Sequence, residues 1–270
     1  AGTLVSMAIL DQATVDAYAR DGAVVVRGCF TPEEVDLVRA GVDRNLAEPG
    51  PLAAVASTDS DSGRFIEDFC NWQRIPEYER FIRTSPAALM ARELMRSEHV
   101  RFYHDHLLVK EPKTQQKTPW HQDQPYYNVD GRINVSMWMP LDPVPRESTL
   151  EFVAGTHLGP WLMPRTFRDE QAKWFPEGTL DELPRIDDDR GAYPIIGWAL
   201  EPGDAVFFHM LTVHGSAGTR SMRRAFSLRF LGDDMVHAPR RWRTSPQFEG
   251  LDAELPAGVP MDHPLFPVLV

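Results

Sequence analysis

The chain has 270 residues, 43% hydrophobic and 25% charged, the balance of a globular protein with ample core material. Its formal charge is −11, from 28 basic and 39 acidic side chains, which argues against nucleic acid or an anionic membrane as a general partner. No apolar run approaches the roughly 20 residues needed to span a bilayer.

Two cysteines, Cys29 and Cys70, lie far apart in no CxxC pattern, so they offer neither a disulfide framework nor a zinc knuckle. A reduced, cytoplasmic protein is expected. The opening Ala1-Gly2-Thr3-Leu4 has no charged segment followed by an apolar one and does not read as a signal peptide.

In chain order, residues 11–21 predict a short helix ended by Gly22, with Val15, Tyr18 and Ala19 on one face. Residues 23–27 are β-branched and predict a strand. Thr31-Pro32-Glu33-Glu34 is a helix start, with Thr31 as N-cap, Pro32 in the first turn and Glu34 closing a capping box. Val35, Leu37, Val38 and Val42 follow as an apolar stripe. Residues 47–63 read as a loop, and 74–96 as a second helical region restarting at Ser85-Pro86. Its Leu89, Met90, Leu94 and Met95 read as core packing.

From Val100 the pattern changes to strands, at 100–110, 133–139, 149–153, 205–210 and 224–230. Residues 159–197 carry much Pro, Gly and charge, and a stretch this long between strands reads as a functional insert such as a lid. The Pro-rich tail, 236–270, is expected to wrap the surface. Helices followed by many short strands predict an α+β chain with a mainly β core: an antiparallel jelly roll with N-terminal helices packed on it. With no long linker, the chain reads as one unit: support over 1–98, core over 99–235, then the tail.

The chemistry concentrates at Thr118–Pro125, which holds His121 and Asp123, the only His-x-Asp in the chain. In an extended strand two such side chains face one way. An imidazole and a carboxylate are two thirds of the 2-His-1-carboxylate triad that binds non-haem Fe(II) and leaves positions open for oxygen chemistry. Alone, the pair reads equally well as surface decoration. Of the nine histidines, His214 is the best third ligand, because it follows an apolar strand and precedes Gly215-Ser216.

Arg223 opens the next strand, and a β-hairpin there would bring it near His214. Alternation puts Arg223, Ala225, Ser227 and Arg229 on one face, which has space for a bound molecule. Arg224, Phe226, Leu228 and Phe230 fall on the other, read as packing between sheets. Arg223, rather than Arg224, is therefore the choice to fix the far carboxylate of a 2-oxo acid.

These residues carry a resemblance. The sequence resembles the phytanoyl-CoA dioxygenase family of Fe(II)/2-oxoglutarate-dependent oxygenases in Trp-His-Gln-Asp (120–123), Trp-Met-Pro-Leu-Asp (138–142) and Ser-Thr-Leu-Glu-Phe-Val-Ala-Gly-Thr-His (148–157). Pro-Gly-Asp (202–204), His-Gly-Ser (214–216), Arg-Arg-Ala-Phe-Ser (223–227) and the early 21–34 segment also match. The resemblance implies a double-stranded β-helix of the cupin-like type. It implies Fe(II) on His121, Asp123 and His214, 2-oxoglutarate held by Arg223, and a co-substrate pocket lined by Trp138 and Ser216 with Gln122 as a further contributor.

The implied reaction uses O2 and 2-oxoglutarate, yields succinate and CO2, and hydroxylates an unactivated C–H of a small molecule. Family members that halogenate have a small residue in place of this carboxylate, so Asp123 favours hydroxylation. The chain departs from the family pattern at Glu147-Ser148-Thr149 and in Ala-Gly-Thr-His (154–157), both on a turn.

Other readings stand beside these. Trp138 is equally suited to core packing, and a structural ion pair is the lesser alternative for Arg223. His104 and His106 read as pocket or core, and His157 and His209 as structural. Arg240-Arg241-Trp242-Arg243 reads as a solvated face that could grip a substrate anion. A jelly-roll binding protein without catalysis, a desaturase or cyclase, and a cupin-like enzyme using another metal are the competing functions.

Overall fold

In the computed structural model the described residues are 8–164 and 180–270. The opening tetrapeptide and the centre of the expected 159–197 insert lie outside them.

Helix α1, Gln12–Asp21, is capped by the Asp11 carboxylate and closed by Gly22, whose φ of 76° is the left-handed C-cap that glycine adopts freely. Strand β1, Ala23–Val26, follows. Helix α2, Pro32–Ala47, begins with both halves of the Thr31–Glu34 capping box formed. The stretch read as a loop carries the two-residue β2, Ala54–Val55. Beyond it comes an unforeseen strand, β3, Phe65–Phe69. Helices α3, Pro76–Thr84, and α4, Ala87–Met95, break at Ser85-Pro86 as expected.

The strands then run β4 (Arg101–Lys110), β5 (Thr118–His121), β6 (Val129–Asp130), β7 (Asn134–Pro140) and β8 (Leu150–Val153). They continue as β9 (Ile195–Gly197), β10 (Ala205–Phe208), β11 (His214–Ser216), β12 (Arg223–Leu231) and β13 (Val236–His237), before α5 (Leu251–Glu254). The described end of the insert thus contributes β9 to the core.

Two antiparallel sheets face one another. The larger has seven strands in the order β1-β10-β7-β12-β4-β3-β2, the smaller four in the order β5-β11-β8-β9. This is the expected jelly roll, with helices on the outer side of the larger sheet.

Alternation along β12 sorts its two faces. Phe226, Leu228 and Phe230 join Val38, Tyr78, Phe81, Met90 and Leu94 of the helices in one hydrophobic core. Phe226 stacks on Tyr78 with ring centroids 4.2 Å apart. That face packs on helices, which corrects the expectation that it lies between sheets. Arg224 leaves this core sideways and pairs with Asp142 at 2.8 Å.

The tail is also corrected. Leu251, Leu255, Met261 and Phe266 are buried with Tyr103, Tyr126 and Tyr127 in a separate apolar cluster. The tail closes one end of the sandwich because β13 pairs with β6 and the last residues bond to Val100 and Phe102.

Candidate metal centre

β5 stops at His121. Asp123 has helical backbone angles, φ −74° and ψ −45°, and opens the single turn Gln124–Tyr126. Strand alternation therefore does not aim the two side chains together. A turn does, fixed by Asp123 N–H and Gln124 N–H donating to Met210 O at 2.8 and 3.1 Å.

β5 pairs with β11 so that His121 faces His214, ring centroids 4.2 Å apart. His214 Nδ1 lies 2.9 Å from Thr212 O and His121 Nδ1 2.8 Å from Pro119 O. A carbonyl can only accept, so each Nδ1 carries a proton and each Nε2 is the nitrogen left for a metal. The Nε2 atoms of His121 and His214 lie 3.4 and 3.6 Å from Asp123 Oδ1. Three buried ligand atoms within 4.8 Å of one another make the one such metal-ligating group among the described residues. Two imidazoles, their other nitrogens anchored to backbone, plus one carboxylate form a donor set that fits Fe(II).

The second carboxylate oxygen is held separately. Arg229 Nε donates to Asp123 Oδ2 at 3.0 Å, and Ser136 Oγ lies 3.3 Å from the same oxygen. Burial by itself would raise the Asp123 pKa, but Arg229 and the two imidazoles hold it well below the usual carboxylate range. Burial, and then His121, push His214 down to about 3, so it stays neutral.

The inner face of the larger sheet can be read in rows across the strands. One row runs Phe65, Lys110, Arg223. Further along come Phe69, His106, Ser227, Trp138, and next to that His104, Arg229, Ser136, Phe208. The cavity between the sheets takes up about 650 Å³ including its open mouth, and the three metal-ligating residues, Trp138, Leu150, Phe208 and Arg223 all line it.

Arg223 and Lys110 are both buried and face each other in register. Arg223 donates to Ser148 O at 2.6 Å while its Nε has no partner. Lys110 Nζ donates to Ala217 O at 3.0 Å and reaches Ser216 Oγ at 3.3 Å. None of these partners is acidic. Burial pushes Arg223 down to about 10, and burial followed by Arg223 itself pushes Lys110 well below the usual lysine range. Two adjacent buried cations without an acidic side chain are costly alone and favourable around an anion.

The structure brings His121, Asp123, His214, Arg223 and Trp138 to one cavity. His214 and Arg223 do not meet through a hairpin, since β11 and β12 belong to different sheets. Trp138 is both core and pocket wall, with its ring 5.7 Å from the Arg223 guanidinium. Ser216 is a correction: it lines not this cavity but the neighbouring groove of Trp120, Asp187 and Arg190, and meets the cationic row only through Lys110. Gln122 is a correction: its Nε2 donates to Pro160 O and Leu211 O, and its Oε1 accepts from Leu162 N. Its amide fastens the first described part of the insert and does not line the cavity.

The turn departure at Glu147-Ser148-Thr149 supplies the carbonyl that holds Arg223. His157 and His209 bond the Ala19 and Arg132 carbonyls, as structural histidines. Arg240 donates to the Tyr127 and Val129 carbonyls and to Asp130, tying the tail to β6.

Sequence reading missed Lys110, Arg229, Glu67 and Phe69. Arg229 was visible, since it shares a strand face with Arg223. Lys110 ends a predicted strand on the same face as His104 and His106. Glu67 and Phe69 had no signal, because β3 was not foreseen.

Known proteins resemble this chain in sequence and in fold. A family model described as phytanoyl-CoA dioxygenase matches residues 18–225. The peroxisomal phytanoyl-CoA dioxygenase of Mus musculus is 28% identical over 234 residues, 80% of this chain and 67% of that protein. A probable phytanoyl-CoA dioxygenase of Caenorhabditis elegans is 25% identical over 81% of this chain and 74% of its own. The named compartment of the mouse protein leaves the expected cytoplasmic location without support. No helix among the described residues is long and apolar enough to cross a membrane.

Among solved structures, the α-ketoglutarate-dependent carbocyclase SnoK superposes with a TM-score of 0.75 at 23% identity, covering 97% of both chains. The epimerase SnoN, in a complex with Fe3+, α-ketoglutarate and nogalamycin RO, gives 0.75 at 24% identity over 96% of this chain and 98% of its own. EctD from S. alaskensis, bound to 2-oxoglutarate and 5-hydroxyectoine, gives 0.63 at 20% over 86% of this chain and 79% of its own. These likenesses establish the shared fold. From the family match over residues 18–225, the chain belongs to the phytanoyl-CoA dioxygenase family.

Proposed function

We propose that this protein is an Fe(II)- and 2-oxoglutarate-dependent dioxygenase that hydroxylates an unactivated C–H bond of a small molecule. The observation that carries the reading is the pairing, in one cavity, of the His121–Asp123–His214 group with the Arg223 guanidinium, which Lys110 faces in register on the neighbouring strand. The first fits the metal; the second fits the far carboxylate of a 2-oxo acid.

Each residue then has a task. His121, Asp123 and His214 would hold iron. Arg229 and Ser136 occupy one oxygen of Asp123, which leaves the other available as a ligand. Arg223, with Lys110 beside it in register, would anchor 2-oxoglutarate, while Trp138 and Phe208 would wall it from water. Bound iron and 2-oxoglutarate together supply the oxidising chemistry that cleaves the C–H bond, with O2 consumed and succinate and CO2 released. No general base is required.

The chain is read as one catalytic unit, because β1 and β3 from its first third share a sheet with the site strands. The same site can serve cyclisation or epimerisation, the activities named for SnoK and SnoN. A non-catalytic binder has no need of an intact triad.

The test is succinate formation from 2-oxoglutarate with Fe(II) across a metabolite panel, with His121→Ala as control. Labelled oxygen from O2 in the organic product marks hydroxylation; turnover without it marks cyclisation or epimerisation. No turnover with any compound would favour the binder.

A further inference from the structure

Beyond the groups already assigned, the cavity has a polar wall at the β3–β4 end, away from β7 and β10. Glu67, Phe69 and His106 line it beside Tyr126 and Tyr127. His106 is buried and stacked on Phe69, ring centroids 3.8 Å apart and planes 18° apart. The stack fixes the imidazole rigidly. Its Nε2 lies 3.5 Å from Glu67 Oε2, too long for a good hydrogen bond, and has no hydrogen-bond partner. A buried polar atom left in this state asks for a ligand.

The charge inventory says which kind. Glu67 and Asp123 are the two carboxylates among the described lining residues, and Asp123 is committed to the metal and Arg229. Glu67 therefore faces the cavity as an acceptor held only by the long His106 contact, in a half-aromatic setting that suits a ring or chain. A second anion at this wall would meet like charge in a low-dielectric space. A hydroxyl can donate to Glu67 and meet His106 in either tautomer; an amine can donate to both.

We infer that Glu67 and His106 form the substrate-recognition wall. They select a small molecule that presents a hydroxyl or amine donor next to an apolar ring or chain, and reject one presenting a carboxylate there. This rests on the iron and 2-oxoglutarate reading for the rest of the cavity, because it assumes that the Arg223 end is filled by the co-substrate.

The test uses anaerobic protein loaded with Fe(II) and 2-oxoglutarate, and equilibrium dialysis of three matched probes: 2-phenylethanol, 2-phenylethylamine and phenylacetate. The alcohol and amine are expected to bind about tenfold tighter than phenylacetate, the size of one charge-assisted hydrogen bond. Glu67→Gln and, separately, His106→Gln should level the ranking while 2-oxoglutarate binding stays unchanged. Phenylacetate binding as well as the alcohol, no probe binding, or a ranking that survives both substitutions overturns the inference. Failure of 2-oxoglutarate to bind wild-type protein with Fe(II) overturns the parent reading instead. The ranking is then read in the same dialysis with Arg223→Met protein, which lacks the cation that would otherwise capture phenylacetate.

Discussion

Arg229 Nε sits 3.0 Å from Asp123 Oδ2, both side chains buried, and this pair decides how the carboxylate proposed as a metal ligand is presented. It takes one oxygen and leaves the other between two imidazole Nε2 atoms. Removing the guanidinium leaves a buried carboxylate without its cation and free to rotate. Arg229→Met is expected to weaken Fe(II) binding by roughly 10- to 100-fold, the range typical for loss of an outer-shell partner. A metal titration followed by equilibrium dialysis measures it; unchanged affinity would assign Arg229 to stability alone.

Lys110 and Arg223 make a different prediction. Lys110→Met keeps the bulk and removes the charge. The KM for 2-oxoglutarate should rise about tenfold or more, as expected for loss of one charge-assisted contact. Fe(II) affinity should hold, because neither residue touches the triad. Steady-state kinetics in 2-oxoglutarate with a metal titration alongside separate the two effects.

Gln122 adjoins two ligands in sequence, yet its amide is occupied by Pro160, Leu162 and Leu211. Gln122→Leu should leave the KM for 2-oxoglutarate within about twofold and lower hydrogen-exchange protection at Leu162, whose N–H loses its acceptor. A large rise in KM would restore Gln122 to the co-substrate pocket.

Phe226 is fully buried and stacked on Tyr78, where the larger sheet meets its helices. Phe226→Ala should destabilise the fold by about 3–5 kcal/mol, through lost burial and the cavity left behind. Chemical denaturation reads it directly. The inner face of β12 is separated from this core by the sheet itself, so metal affinity of the folded variant should be preserved.

Acid stability follows from histidines held neutral. Burial, and then Arg229, push His104 well down; burial lowers His106 as well, and burial with His157 nearby brings His209 down to about 4. Each has a folded-state pKa below its unfolded value near 6.5. The unfolded chain therefore binds more protons as pH falls through that value, and stability drops from about pH 6.5 toward pH 4. The melting temperature of metal-free protein should be higher at pH 7.5 than at pH 5, and His209→Gln should flatten that slope.

Much of this could be read before any coordinates. The capping box at Thr31, the Gly22 stop, the Ser85-Pro86 break and the long strands follow from local rules, because a helix or strand pattern repeats within a few residues. His121, Asp123, His214 and Arg223 were singled out because their neighbours are distinctive: a tryptophan before the His-x-Asp, a Gly-Ser behind the second histidine, small residues beside the arginine.

The sequence by itself determined which residue types are available for metal and carboxylate binding, and the alternation that puts Arg223 and Arg229 on one strand face. Tertiary structure decided the rest. The hairpin expected between His214 and Arg223 is a crossing from one sheet to the other, so the two meet across a cavity and not along a ladder. His121 and Asp123 converge through a turn held by Met210 O, a residue 87 positions beyond Asp123 (210 − 123). Glu67 comes to the same wall as His106 only because β3 pairs with β4. Contacts between distant segments leave no periodic trace in the chain, whereas the ligands themselves, fixed by their own chemistry, were legible from the start.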